Sequence, residues 1–356
     1  MKIKRKSIKT SRNRFYFYII GVLLLFFLIS GVINSISGQK NVSPQESNPA
    51  DFSFLNQEQE INIEKEEQVE EQNGKIVHPL TGLLVEKNQI GCPVSIVIDN
   101  FPASYPLSGL DKASFIYEVL VEGGITRYLA VFDSLFLPNK VGPVRSARPY
   151  FIFLAEQYKG VFAHAGGSPD ALELIKKGVR FYDLDEISQG DYFWRDDSRN
   201  PPYNLYTSSK LIREFIKENK ITDCFSDFIP FSYSSNEEYW PYHGQEVNVY
   251  FSSKKKTTWE YIDSDQVYWD KQAGIKVKNL VVLKTRMEVV DDIGRLFIDL
   301  NSGGDALFFK QGKTSLGKWE KQGNRIYFYD KDNNEVSLMP GTTWVGIVSV
   351  DDLVTY

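Results

Sequence analysis

Hydrophobic and polar positions divide the chain into four unlike stretches. Residues 15–33, FYFYIIGVLLLFFLISGVI, are apolar without a charge, and the fourteen residues before them carry seven basic and no acidic side chains. At 1.5 Å per residue such a helix crosses a hydrocarbon core of roughly 30 Å. The basic tail (1–14) then places the amino end in the cytoplasm and the rest outside. A cleaved secretory signal is the alternative, with Ser35 and Ser37 as small residues before Gly38. The length of the apolar run favours a retained single-pass anchor, and export of the bulk follows from either reading.

Residues 38–75 hold nine acidic and three basic groups with few apolar ones, so they are expected to be a disordered acidic spacer. From 78 to 230 short apolar runs alternate with amphipathic ones, which predicts a mixed α/β (or α+β) domain. PVSIVIDN (93–100) reads as a buried strand, and FIYEVLVEGGITRYLAVFD (115–133) as two strands about Gly123-Gly124. PYFIFLAEQY (149–158) reads as a helix with proline in its first turn, and GVFAHAGG (160–167) as a strand. SPDALELIKKG follows with Ser168 as N-cap and Gly178 as stop, and SSKLIREFIKEN (208–219) is a third helix. Beyond Pro230 the period shortens to two. EVNVYFS, TTWEYID, QVYWD, DALFFKQG, RIYFYD and TWVGIVSV predict a mainly β second domain, roughly 240–350.

Charge narrows the function. The chain has a formal net charge of −5. Beyond residue 75 acids outnumber bases, which argues against a nucleic-acid-binding surface, so any anion site must be local. Only Cys92 and Cys224 are present. Export permits a disulfide between them, and two free buried thiols fit the spacing equally well. CxxC pairs are absent and there are three histidines, so neither a zinc site nor any other cofactor is evident.

Three clusters carry candidate chemistry. A two-residue Gly123-Gly124 loop would pair Glu118 with Leu129 and Leu120 with Arg127, placing Glu118, Glu122 and Arg127 on one face. That cluster is either an ion-pair lock or an acidic–basic site. In VGPVRSARPYF (141–151), Arg145 and Arg148 precede the Pro149 helix, where the dipole disfavours cations and favours anions. His164, Gly166, Gly167 and Ser168 form a second loop entering a helix. Together these suit a bound anion. The segment WRDDSRNPPYNLYTS (194–208) adds Arg195, Arg199 and Asn204, with a salt-bridged surface loop as the plainer reading. No nucleophile–base pair or nucleotide loop is present, so the sequence leaves enzymatic activity undecided.

HPLTG (78–82), IDN (98–100), SGLDKA (108–113), YEVLVEGGITRYLAVF (117–132), VGPVRSARPYF, HAGGSP (164–169) and PYNLYTS (202–208) resemble the YerB-like bacterial family, domain of unknown function 3048. Its members are named as lipoproteins without a known activity and have separate amino- and carboxy-terminal domains. The resemblance implies an exported, membrane-tethered protein and supplies no activity; the residues themselves suggest an envelope module that binds a cell-wall component, another envelope partner or an anionic small molecule. Two departures stand out: a membrane span replaces the lipid-attachment cysteine, and Tyr203 stands where a histidine is expected. The order ITRYLAVF, arginine pair, GGSPDALELI is also similar to LytR–CpsA–Psr enzymes, which transfer polyprenyl-pyrophosphate-linked glycans. That similarity implies Arg145 and Arg148 as phosphate clamps and Asp99 as a magnesium ligand.

Overall fold

The computed structural model describes residues 75–225, 228–236 and 240–356. The basic tail, the apolar span at 15–33 and the acidic spacer up to residue 74 lie outside the described residues. Among the described residues no helix is long and apolar enough to cross a membrane.

The first segment contributes strands Pro93–Asp99 (β1), Phe115–Leu120 (β2), Thr126–Asp133 (β3), Val161–His164 (β4) and Tyr182–Asp185 (β5). Its helices are Pro149–Glu156 (α1), Pro169–Lys177 (α2) and Ser209–Glu218 (α3). The second contributes Tyr242–His243 (β6), Glu246–Ser252 (β7), Lys255–Ile262 (β8), Val267–Asp270 (β9), Ile275–Val277 (β10) and Asn279–Thr285 (β11). Gly304–Lys310 (β12), Lys313–Gln322 (β13), Arg325–Asp330 (β14), Thr343–Ser349 (β15) and Val354–Thr355 (β16) complete it. The described residues are therefore mostly β, with their helices confined to the first segment. The expected α/β alternation survives only around β1, β4 and β5.

Eleven strands form one sheet in the order β6-β13-β12-β11-β15-β2-β3-β1-β4-β5, with β14 also on β13. A separate five-stranded sheet runs β10-β9-β8-β7-β16. The large sheet crosses the boundary between the two segments. β15, near the end of the chain, lies parallel to β2, with Thr343 opposite Phe115 and Ile347 opposite Val119. β11, β15, β2, β1, β4 and β5 all run the same way, so their carboxyl ends share one edge. Ligands of open sheets with parallel strands commonly lie outside such an edge.

Alternation along each strand divides the core in two. Val94, Ile96 and Ile98 of β1 pack with Ile116, Tyr128, Ala130, Trp259 and Trp344, between the two sheets. Val97, Tyr117, Val119 and Leu129 face the other way, onto α1. Tyr150, Phe151, Ile152, Leu154 and Ala155 of α1 are all buried, which explains why this helix is apolar on nearly every side. α2 and α3 begin as their caps predict, Ser168 accepting from Ala171 N–H and Ser208 from Leu211 N–H. Cys92 and Cys224 form a disulfide across 132 residues of chain, which resolves the open question of their pairing. In the chain-entropy model a loop of that length contributes about 5 kcal/mol.

Candidate functional site

The turn between β2 and β3 decides which charges meet. Val121 N–H donates to Ile125 O, so Glu122, Gly123 and Gly124 form a three-residue loop rather than the expected two. Both glycines have positive φ (79° and 75°), a conformation open to them because they lack Cβ. Glu118 then pairs with Tyr128 and Val119 with Arg127. This corrects the sequence-based register by one residue, and a one-residue slip moves side chains to the opposite face. Glu118 and Arg127 accordingly lie on opposite faces of the sheet.

On the α1 face three guanidinium groups gather. Residues 144–147 are held at the carboxyl ends of β1 and β4, with Arg145 N–H on Val97 O (2.9 Å) and Ala165 N–H on Arg145 O (3.1 Å). Arg145 Nε lies 2.9 Å from Asp99 Oδ2, a charge contact without hydrogen-bond alignment. Arg148 holds Glu122 with two bonds, Nε to Oε1 at 2.5 Å and NH2 to Oε2 at 2.9 Å, and donates to Ala147 O. Burial raises the Glu122 carboxyl, but the hydrogen bonds and charge of Arg148 outweigh it and bring its pKa below the ordinary value.

Arg127 is different. It is nearly buried, donates to Ser146 O at 3.0 Å, and its Nε has no partner. Burial first, then repulsion from Arg148 and Arg145, lowers its pKa to about 10. Two carboxylates, Asp99 and Glu122, therefore oppose three guanidiniums. Beside them the Tyr150 hydroxyl is buried without a partner, and Glu122, Arg148 and Arg127 all act on it electrostatically. Sequence reading missed Tyr150. Its place after Pro149, at the amino end of α1, was the available signal.

The other predicted residues are largely committed to structure. His164 is fully buried, with Nδ1 2.8 Å from Gly166 O and Nε2 2.8 Å from Asp183 Oδ1. Gly166, at φ 61°, also takes Ala147 N–H on its carbonyl and gives its own N–H to Asp185. Gly167 bridges Ala147, and Ser168 is occupied as the cap of α2. His164, Gly166 and Gly167 thus position the arginine segment. Arg199 donates to the carbonyls of Ser104, Tyr105 and Pro106, clamping a loop. Arg195 bonds Glu186 and the buried Asn204. The 194–208 segment reaches the arginine cluster through Pro202, whose carbonyl accepts from Arg145 at 3.4 Å, and through Tyr203, whose ring lies 5.6 Å from the Arg145 guanidinium and stacks on Phe101.

Asp99 does not fit the expected magnesium role. Its carboxylate is taken by Arg145 and by Phe101 N–H, whereas magnesium requires near-octahedral oxygen ligation. Among the described residues no cluster of three or more His, Cys, Asp or Glu could hold a metal ion.

The opposite face carries Glu118. Its Oε1 accepts from Asn100 (3.0 Å), Thr126 (2.8 Å) and Thr257 (2.9 Å), with Lys255 Nζ at 3.3 Å. Its Oε2 accepts from Trp344 Nε1 at 3.2 Å. Lys255, Thr257 and Trp344 come from the second segment, so this carboxylate fastens the two segments together. The functional reading of Glu118 beside Arg127 gives way to an interior lock. Successive residues serve the two faces, Asp99 reaching Arg145 and Asn100 reaching Glu118.

A mostly β body of two segments sharing one sheet, with an arginine cluster at the common carboxyl edge, is the class of protein this architecture defines. Residues 80–222 match the family described as "Protein of unknown function (DUF3048) N-terminal domain", and residues 230–345 match its C-terminal domain. The chain belongs to this family. It is 32% identical over 302 residues to the Bacillus subtilis (strain 168) protein named "Putative lipoprotein YerB", covering 81% of this chain and 91% of that one. The crystal structure of the YerB protein from Bacillus subtilis superposes with a TM-score of 0.69 at 31% identity. That match spans 79% of this chain and all of the other.

Proposed function

We propose that this protein is a membrane-tethered, extracytoplasmic binding module of the cell envelope whose arginine cluster receives an anionic group. Tethering is supported by the basic tail and apolar run of the sequence and by the relative's name as a lipoprotein. Export is supported by the disulfide, which oxidising compartments preserve. The observation that carries anion binding is the pair of buried, unpartnered donors, Arg127 Nε and the Tyr150 hydroxyl, beside Arg145 and Arg148. Leaving such groups unsatisfied costs about 1–3 kcal/mol each, a cost that a ligand oxygen removes.

The test is calorimetric titration of the full chain in detergent with orthophosphate at low salt. Arg127→Gln is expected to weaken binding at least ten-fold and Tyr150→Phe about three- to ten-fold. Equal affinity in all three proteins contradicts the reading.

A second reading, in which the anion is the pyrophosphate of a prenyl-linked wall precursor, is favoured by an apolar rim. Ile187 is 74% exposed beside Gly166, and Leu172 is 40% exposed beside Gly167. Geranyl pyrophosphate would then bind more tightly than pyrophosphate, and Ile187→Ala with Leu172→Ala would remove the difference. Equal binding of the two ligands to the wild type leaves the first reading alone.

A further inference from the structure

A cleft of about 290 Å³ opens where the loop from Tyr105 to Asp111 meets the turn Gln272–Gly274, at the junction of the two segments. Its apolar wall is Leu107, Leu110 and Ala273, and its polar groups are Tyr105, Asp111 and Gln272. The volume suits a small ligand or one side chain of a larger one.

Directly behind Gln272 and Ala273 lies the carboxylate of Asp270, itself 4% exposed. Its Oδ1 accepts both of their N–H groups, at 2.8 and 3.2 Å, and no described residue donates to Oδ2. Lys255 is the cation that acts on Asp270, and it lowers the carboxyl less than burial and Glu118 raise it. Glu118 is matched by Lys255, the Tyr105 hydroxyl donates to Asn100 Oδ1, and Asp111 at the mouth is matched by the exposed Lys112. The Tyr128 hydroxyl, wholly buried next to Tyr105, lacks a hydrogen bond of good geometry. Burial first and Glu118 second lift the Asp270 carboxyl to about 6, so its charged form is disfavoured as the structure stands. A buried carboxylate with a raised pKa, backing the wall of a cleft, is a candidate binding group.

We propose that this cleft binds an aliphatic primary ammonium, its methylene stem against Leu107 and Leu110 and its charge at Asp111, within the field of the Asp270 carboxylate that backs the Gln272–Ala273 wall. The site is separate from the arginine cluster, on the other face of the sheet, and selects the opposite charge. A cation there adds to the field of Lys255 and draws the Asp270 carboxyl back into the ionised state.

The experiment titrates the full chain in detergent with 1,5-diaminopentane at pH 5.0 and pH 7.5, with 1-pentanol as the uncharged probe. The diamine keeps its charge at both pH values, so any change in affinity belongs to the protein. Binding about ten-fold tighter at pH 7.5 is expected, with pentanol at least ten-fold weaker than the diamine. Asp270→Asn is expected to abolish the pH dependence. Ala273→Leu, which fills the cleft and leaves the carboxylate in place, is expected to remove binding at both pH values while melting stays cooperative. Equal affinity for pentanol, an unchanged pH profile in Asp270→Asn, or wild-type binding in Ala273→Leu would each overturn the proposal.

Discussion

The two faces of the large sheet treat buried charge in opposite ways. Between the sheets, Glu118 has three hydroxyl or amide donors on one oxygen, an indole on the other and Lys255 nearby. On the α1 face, Arg127 has one carbonyl and two like charges close by. A saturated charge rigidifies its surroundings, whereas an unsaturated one is left for something else to complete. The sites differ although Asp99 and Asn100, adjacent in the chain, serve one each.

Removing the saturated charge should have the largest effect on folding. Glu118→Ala leaves Lys255, Asn100 and Trp344 without their acceptor, and about 3–5 kcal/mol of stability should be lost in urea unfolding. A loss below 1 kcal/mol would erase the contrast between the faces.

The next effect depends on pH. The Asp270 carboxyl is raised from 3.8 to about 6, so between those values the unfolded chain has released a proton that the folded chain retains. Stability from this group is highest below pH 4, falls as pH rises to 6, and the loss is on the order of 3 kcal/mol. Asp270→Asn should therefore be more stable than wild type at pH 8, by roughly 1–3 kcal/mol, and equal to it near pH 3.5. Denaturant midpoints at the two pH values decide this. The smallest effect belongs to the surface. Lys177 and Glu173 form an exposed pair whose charges water already screens, and Lys177→Ala should leave the melting temperature unchanged.

Much of this contrast was legible in the residues, and the remainder has identifiable causes. PVSIVIDN announced β1 because an unbroken apolar run is what a strand covered on both faces requires. Ser168, Pro169 and Gly178 marked both ends of α2 through capping chemistry that acts within a few residues. Arg145 and Arg148 stood out as a pair before the Pro149 helix, whereas their meeting with Arg127 depends on tertiary structure. The face on which Glu118 lies was not, because the choice between a two- and a three-residue loop at Gly123-Gly124 is settled by φ at both glycines. TWVGIVSV reads correctly as a strand. Its pairing with β2, more than two hundred residues upstream, is a tertiary choice that local periodicity does not encode. The Asp270 cleft is hidden for the same reason, since its two walls come from different segments.

The central claim is that Arg127 is a charge awaiting an anion, and nitrogen-detected NMR of its Nε–H tests that claim most directly. Orthophosphate at low salt should shift this resonance in a saturable manner and slow its exchange with water, while the same signal from Arg199, already bound to carbonyls, stays fixed. An Arg127 resonance that does not move at saturating phosphate, or moves only together with Arg199, would contradict the account.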